Sequence, residues 1–169
     1  EVSCRVAGTI VAKRARCVNL PLMALHDFMG RDVVPLVTPH VTRIERSIRT
    51  RAATTLSYQR VYVDLDDTLI IRQQPNPVVL AFLYQSRARG KSLHLITRHE
   101  KKPLETLNQA AISPLLFDEI IHLQDTAKKS AHIKGPAIFI DNYFPERLDV
   151  AQLDDVLVLD VDAVDFYLE

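Results

Sequence analysis

The chain has 169 residues, 25% of them charged, with a formal net charge of zero. That length holds one domain with a sizeable core and an appendage, and the composition is that of an ordinary globular protein. No apolar run reaches membrane-spanning length, no charged-then-apolar leader is present, and Cys4 and Cys17 have neither disulfide-framework nor zinc-ligand spacing, so a cytoplasmic protein without a membrane partner is expected.

The first residue is Glu1 rather than Met, which reads as a fragment or a processed product. Residues 1–57 carry nine Lys/Arg and four Asp/Glu, whereas residues 58–169 carry twelve and seventeen. This asymmetry divides the chain into residues 1–57 and residues 58–169. The basic residues are not interleaved with aromatics, so a nucleic-acid partner is not expected. Asn19-Leu20-Pro21 followed by Leu22, Ala24, Leu25, Phe28 and Met29 predicts a helix closed by Gly30. Val33 to Val37 reads as a strand interrupted by Pro35, and residues 49–59 are small and polar, as in a linker.

From residue 60 the signals alternate. Val61-Tyr62-Val63 is an apolar, β-branched and aromatic run of the kind found in a buried parallel strand. Residues 72–76 read as a short loop, and Pro77 opens a helix with Val79, Leu80, Leu83 and Tyr84 at helical spacing, ended by Gly90. Ser92–Thr97 predicts a second strand, and Pro103 opens a second helix with Leu104 and Leu107 on one face. Glu119–Leu123 is a third strand, Ala127–Ile133 a short helix, Ala137–Asp141 a fourth strand, Pro145–Leu153 a helix and Val156–Asp160 a fifth strand. This alternation predicts an α/β domain built as a three-layer, doubly wound, Rossmann-type parallel sheet. There are no internal repeats.

In open α/β sheets, ligands bind beyond the carboxyl ends of the strands. Asp64 and Asp66 stand at such an end, two residues apart, and leave the backbone on the same side if the chain stays extended. Two close carboxylates repel unless a cation, a proton or strong donors compensate. The pair suits Mg²⁺ and a phosphate, with one carboxylate as nucleophile and the other as acid/base.

The segment Asp64-Leu65-Asp66-Asp67-Thr68 after an apolar strand resembles the first motif of the haloacid dehalogenase (HAD) superfamily of aspartate-nucleophile phosphatases. Leu93-His94-Leu95-Ile96-Thr97 is similar to the second motif, although Thr97 also suits a loop cap. Lys128 and Lys129 follow the third strand, and Lys129-Ser130 with Ile133 looks like the third motif; Lys128 remains the alternative. Asp141, ending Ile138-Phe139-Ile140, resembles the fourth, with Asn142 where many members have a second Asp. Glu146, Arg147 and Asp149 read as a solvated helix face, with Arg147 able to reach back toward the site.

The resemblance implies an Mg²⁺-dependent phosphohydrolase acting on a small phosphorylated substrate. Asp64 is then the nucleophile and Asp66 the acid/base, whose backbone carbonyl also holds Mg²⁺. Asp64 and Asp141 supply its side-chain ligands, and Thr97 and Lys129 orient and neutralise the phosphoryl group. The order Asp-x-Asp, Thr, Lys, Asp disfavours a response-regulator receiver, in which the accepting Asp follows a later strand. The intervals 64–97 and 97–129 are too short for a cap domain, which implies an open, capless site. A catalytically silent HAD-fold docking or regulatory module is the competing reading.

Glu1 to Thr9, followed by Val18-Asn19-Leu20-Pro21, resembles the end of an ATP-grasp ligase domain of the carbamoyl-phosphate-synthase-like kind. Glu1 and Arg5 match that family's Glu-x-Asn-x-Arg segment, and Ser3 replaces the Asn. The resemblance implies a ligase–phosphatase polypeptide with an ATP-grasp domain upstream.

Overall fold

The computed structural model describes residues 10–35, 37, 41, 43, 44, 49–124 and 126–169. The chain divides into two compact units, Glu1–Arg49 and Thr50–Glu169. Residues 1–9, which carry Glu1, Ser3, Cys4 and Arg5 of the ATP-grasp resemblance, lie outside the described residues, while its Val18 to Pro21 part lies within them.

In the first unit two helices are described, α1 (Ile10–Ala15) and α2 (Leu20–Phe28). The expected helix is α2. Asn19 caps it by accepting the Leu22 N–H at 3.3 Å, and Gly30 follows its end at φ +69°, a conformation open to a residue without Cβ. Leu20, Leu22, Leu25, Phe28 and Met29 are exposed. The strand expected at Val33–Val37 is not present among the described residues; Pro35 removes a ladder donor from a run already too short to pair. Leu36 lies outside them.

The second unit contains β1 (Arg60–Val63), β2 (Ile70–Ile71), β3 (Gln74–Pro75), α3 (Pro77–Ala88), β4 (Ser92–Thr97), α4 (Pro103–Gln109), β5 (Glu119–His122), β6 (Ala137–Ile140), α5 (Phe144–Val150) and β7 (Val156–Leu159). Strands β5-β4-β1-β6-β7 form one parallel sheet in that order, flanked by helices in a Rossmann-like α/β fold. The chain steps from β1 through β4 to β5, then returns to the other side of β1 for β6 and β7. The crevice between β1 and β6 is therefore where the strand order reverses.

Burial follows the strand period. Val61, Val63, Leu93, Leu95, Ile138 and Ile140 share one apolar cluster with Phe82 and Leu83 of α3. Tyr62, Ile96 and Phe139 alternate with them and share a second cluster with Val150 of α5. Strands buried on both faces read as unbroken apolar runs, as these do.

The structure revises several local expectations. Residues 72–76 are not a plain loop: β2 and β3 pair as an antiparallel hairpin, Ile70 with Pro75 and Ile71 with Gln74. Arg72 and Gln73 form its two-residue turn at φ +49° and +65°, where glycine or asparagine is usual, so no turn signal marks it. The helix expected at Ala127–Ile133 is a four-residue 3-10 turn, Lys129–His132, too short for an α-helical ladder. Leu104 is exposed while Leu107 is buried, so they do not share the packed face of α4. Asn76 fixes the start of α3: its Oδ1 accepts the N–H groups of Val78 and Val79, and its Nδ2 donates to the Thr68 carbonyl at 3.1 Å. Among the described residues, no helix is long and apolar enough to cross a membrane.

Candidate active site

Three charged side chains meet at the carboxyl edge of β1 and β6. β1 delivers Asp64, whose N–H continues the ladder to the Ile140 carbonyl at 3.0 Å. β6 delivers Asp141, and the 3-10 turn delivers Lys129. Lys129 Nζ donates to Asp64 Oδ1 and to Asp141 Oδ2, each at 2.7 Å, and all three residues are buried. Lys128 is exposed and pairs with Asp149 at 2.7 Å. Of the two adjacent lysines, only Lys129 enters the site.

The charge balance sets the protonation chemistry. Burial penalises the Asp64 carboxylate more than the Lys129 charge favours it, so its pKa is pushed up to about 6. The negative charge of Asp141 adds to the rise. Lys129 is itself disfavoured by burial, yet the two carboxylates more than offset this and hold it above the ordinary ammonium range. Two buried acids thus share a single buried cation.

Asp141 is fixed on every side. Its Oδ1 accepts the Tyr143 N–H at 2.7 Å and its carbonyl accepts Arg147 Nη1 at 2.8 Å. Arg147 also pairs with Asp160 at 2.7 Å. The solvated-face expectation for α5 is therefore corrected: Arg147 does reach back, Glu146 pairs with Arg98 at 2.9 Å, and Asp149 holds Lys128. Thr68, buried, ties the loop after β1 to the loop after β6. Its Oγ1 donates to Asn142 Oδ1 at 3.1 Å and accepts the Asn142 N–H at 3.0 Å. Asn142 thus spends its side chain on this strap, a role the sequence did not suggest.

The extended conformation does not persist past Asp64. The backbone turns through residues 65–68, so Asp64 is buried while the Asp66 side chain is 57% exposed. Both still line one cleft with Thr97, Lys129 and Asp141, together with Arg98. Thr97 is buried at the end of β4, and its Oγ1 accepts the His99 N–H at 3.2 Å, the loop-cap geometry; the hydroxyl hydrogen is left to donate into the cleft.

Sequence reasoning missed His99. Its Nδ1 lies 2.9 Å from both Asp66 oxygens and its Nε2 lies 2.7 Å from Thr106 Oγ1. It follows Thr97 by two residues, and only the position of that strand end beside the loop after β1 signals the contact.

Among the described residues, no group of three or more His, Cys, Asp or Glu side chains gathers around a common point as metal ligands. The donor chemistry of Asp64 and Asp141 nevertheless suits a hard cation. Two buried carboxylates with one lysine leave net negative charge. No protein-family model matches the chain, and no curated protein matches it.

Proposed function

We propose that residues 58–169 form a capless phosphohydrolase of the HAD type, acting on small phosphate monoesters through an aspartyl-phosphate. The observation that carries the reading is the buried Asp64–Lys129–Asp141 cluster at the reversal of strand order, with Asp66 outward in the same cleft. A structural ion cluster needs no second acid facing the open cleft, whereas phosphoryl transfer through a carboxylate does. The two core clusters on alternating strand residues support the three-layer, doubly wound form of the fold that this reading includes.

In the proposed reaction an Asp64 carboxylate oxygen attacks phosphorus, and the bond from phosphorus to the leaving oxygen breaks. Asp66 gives that oxygen its proton. Asp66 then takes a proton from water, whose oxygen attacks phosphorus and releases Asp64 and inorganic phosphate. Lys129 holds the nucleophile in place and offsets charge next to the phosphoryl group, and the Thr97 hydroxyl donates to a phosphoryl oxygen. Asp64 and Asp141, with the Asp66 carbonyl, would hold Mg²⁺, which supplies electrostatic stabilisation of the phosphoryl oxygens when bound. The tie to an ATP-grasp ligase rests on the sequence resemblance within residues 1–21 alone.

The test is Mg²⁺-dependent release of phosphate from p-nitrophenyl phosphate. Wild type should turn over and Asp64→Asn should not. Turnover by Asp64→Asn within about tenfold of wild type, roughly 1.4 kcal/mol in barrier height, would remove Asp64 as nucleophile. No turnover by wild type would favour the silent docking module.

A further inference from the structure

The cleft around Asp64 is not the only space that Asp66 borders. A second cavity of about 360 Å³ shares the wall formed by Asp66 and Asp67, and continues between the β2–β3 turn and α4. Arg72, Gln73, His99, Lys101, Thr106 and Gln109 line it. We propose that this cavity receives the leaving group, and that Arg72 and Lys101 select leaving alcohols carrying their own anion, a carboxylate or a second phosphate. The inference rests on the phosphohydrolase reading above.

Position is the first argument. A general acid must come within hydrogen-bond reach of the oxygen it protonates. With the phosphoryl group against Asp64 and Lys129, the leaving oxygen lies toward Asp66, and the rest of the leaving group continues past it. The space past Asp66 is this cavity, and its volume is that of a small-molecule pocket.

The second argument is chemical. Neither Arg72 nor Lys101 has an ion pair or side-chain hydrogen bond among the described residues, whereas Arg87, Arg98, Arg147, Lys128 and Lys129 all do. Of the acids in the shared wall, Asp66 is held by His99, and Asp67 has no side-chain partner among the described residues. The unpaired charges of the lining are therefore two cations against one acid, and with the amides of Gln73 and Gln109 they give it a surplus of donors and a net unpaired positive charge. That surplus matches an anion better than a neutral polyol, which needs donors and acceptors in comparable number.

The third argument is conformational. Arg72 and Gln73 occupy both central positions of a two-residue hairpin turn in the left-handed region, which glycine or asparagine would enter with less steric conflict. Both residues line the cavity. Strain at such a turn is the kind retained where the side chains are used.

The experiment compares three esters on one three-carbon frame: glycerol 3-phosphate, 3-phosphoglycerate and glycerol 1,3-bisphosphate, each with the full chain and Mg²⁺. At least one anionic ester should exceed glycerol 3-phosphate in kcat/KM by about tenfold, the gain expected from one charge-assisted contact. The carboxylate and bisphosphate arms distinguish the two sources of the anion. In the double variant Arg72→Ala/Lys101→Ala, with folding checked by circular dichroism, the ratio should fall to within about threefold of unity, equivalent to less than one such contact. A wild-type ratio near unity, or a ratio that survives in the double variant, would overturn the proposal. Calorimetric binding of 3-phosphoglycerate and glycerol 3-phosphate to Asp64→Asn provides a readout that needs no turnover. Equal affinities there overturn the anion subsite even if p-nitrophenyl phosphate is hydrolysed. A preference for 3-phosphoglycerate without hydrolysis of any ester would instead retain the subsite and overturn the phosphohydrolase reading.

Discussion

The imidazole of His99 holds the carboxylate of Asp66 by both oxygens, with Nδ1 2.9 Å from each. The two differ sharply in environment: the His99 side chain is 14% exposed and that of Asp66 57%. His99 is in turn fixed by Thr106 Oγ1 at 2.7 Å, and its carbonyl accepts His122 Nε2 at 2.7 Å. An acid on a solvent-facing turn is thereby oriented by a ring anchored in the second loop.

If Asp66 is the acid/base, losing His99 should tell on esters whose leaving oxygen needs a proton. His99→Gln should lower kcat for an alkyl phosphate by about ten- to a hundredfold, within the range contributed by general acids. The loss for p-nitrophenyl phosphate should be markedly smaller, because nitrophenolate leaves without protonation. Initial rates on both esters decide it. Equal losses would make His99 a purely structural residue.

Replacing Lys129 should be costly to stability, and replacing Lys128 should not. Lys129→Met leaves Asp64 and Asp141 buried together without their shared cation. Breaking a buried pair in this way costs about 3–5 kcal/mol. Urea denaturation at neutral pH in the presence of a chelator measures it. Lys128→Met removes an exposed pair with Asp149 and should leave the urea midpoint where it was. A larger loss from Lys128→Met than from Lys129→Met would contradict the arrangement of the cluster.

Much of the α/β frame is legible in the residues because its strands are covered on both faces. Val61-Tyr62-Val63 and Ala137-Ile138-Phe139-Ile140 are apolar at every position, and Pro77 and Pro103 mark helix starts by lacking an N–H that would find no partner there. The hairpin was illegible for the opposite reason: its strands are two residues long and its turn is Arg72-Gln73, without glycine or asparagine. The site divides in the same way. Asp64 and Asp141 could be read from the strands they end. The choice between Lys128 and Lys129 depends on the phase of a four-residue 3-10 turn, which no periodicity reveals. His99 and the strap from Thr68 to Asn142 are contacts between loops distant in sequence, set by the sheet order rather than by local composition.

Asp64 should make the metal-free fold less stable as pH rises through the acidic range. Its pKa is about 6 in the folded chain, against an ordinary value of 3.8. Between those values the native state binds more protons than the unfolded state, so stability falls with rising pH and levels off above about 6. The upper bound on this loss is about 3 kcal/mol, from roughly 1.4 kcal/mol per pKa unit. Asp64→Asn removes the titration. Relative to wild type, the variant should gain stability from about pH 4 to about pH 6 and hold a constant margin above it. Urea midpoints across that range, with chelator, make the comparison. A margin that shrinks as pH rises would mean that Lys129 outweighs burial.

The division at Arg49–Thr50 makes a prediction about where the chain can be cut. Within the second unit, residues 50–59 carry no regular structure but are attached to it. The Ala52 N–H donates to the Phe166 carbonyl at 2.7 Å, the Gln59 N–H donates to the Pro136 carbonyl at 3.0 Å, and Lys91 Nζ donates to the Tyr58 carbonyl at 2.8 Å. Tyr58 packs against the larger apolar cluster, and Leu56 is half-buried. Deleting residues 1–49 removes none of these contacts and should leave the unfolding midpoint of the sheet domain unchanged. Deleting residues 1–57 removes the Ala52 bond and the Leu56 side chain. One net hydrogen bond and a partly buried leucine amount to about 1–3 kcal/mol, visible as a lower urea midpoint. Deletion through Gln59 should cost more, because Tyr58 goes too. Equal midpoints for the two shorter truncations would show that residues 50–57 are a free linker. A lower midpoint after removing residues 1–49 alone would show that the sheet domain does not end at Thr50.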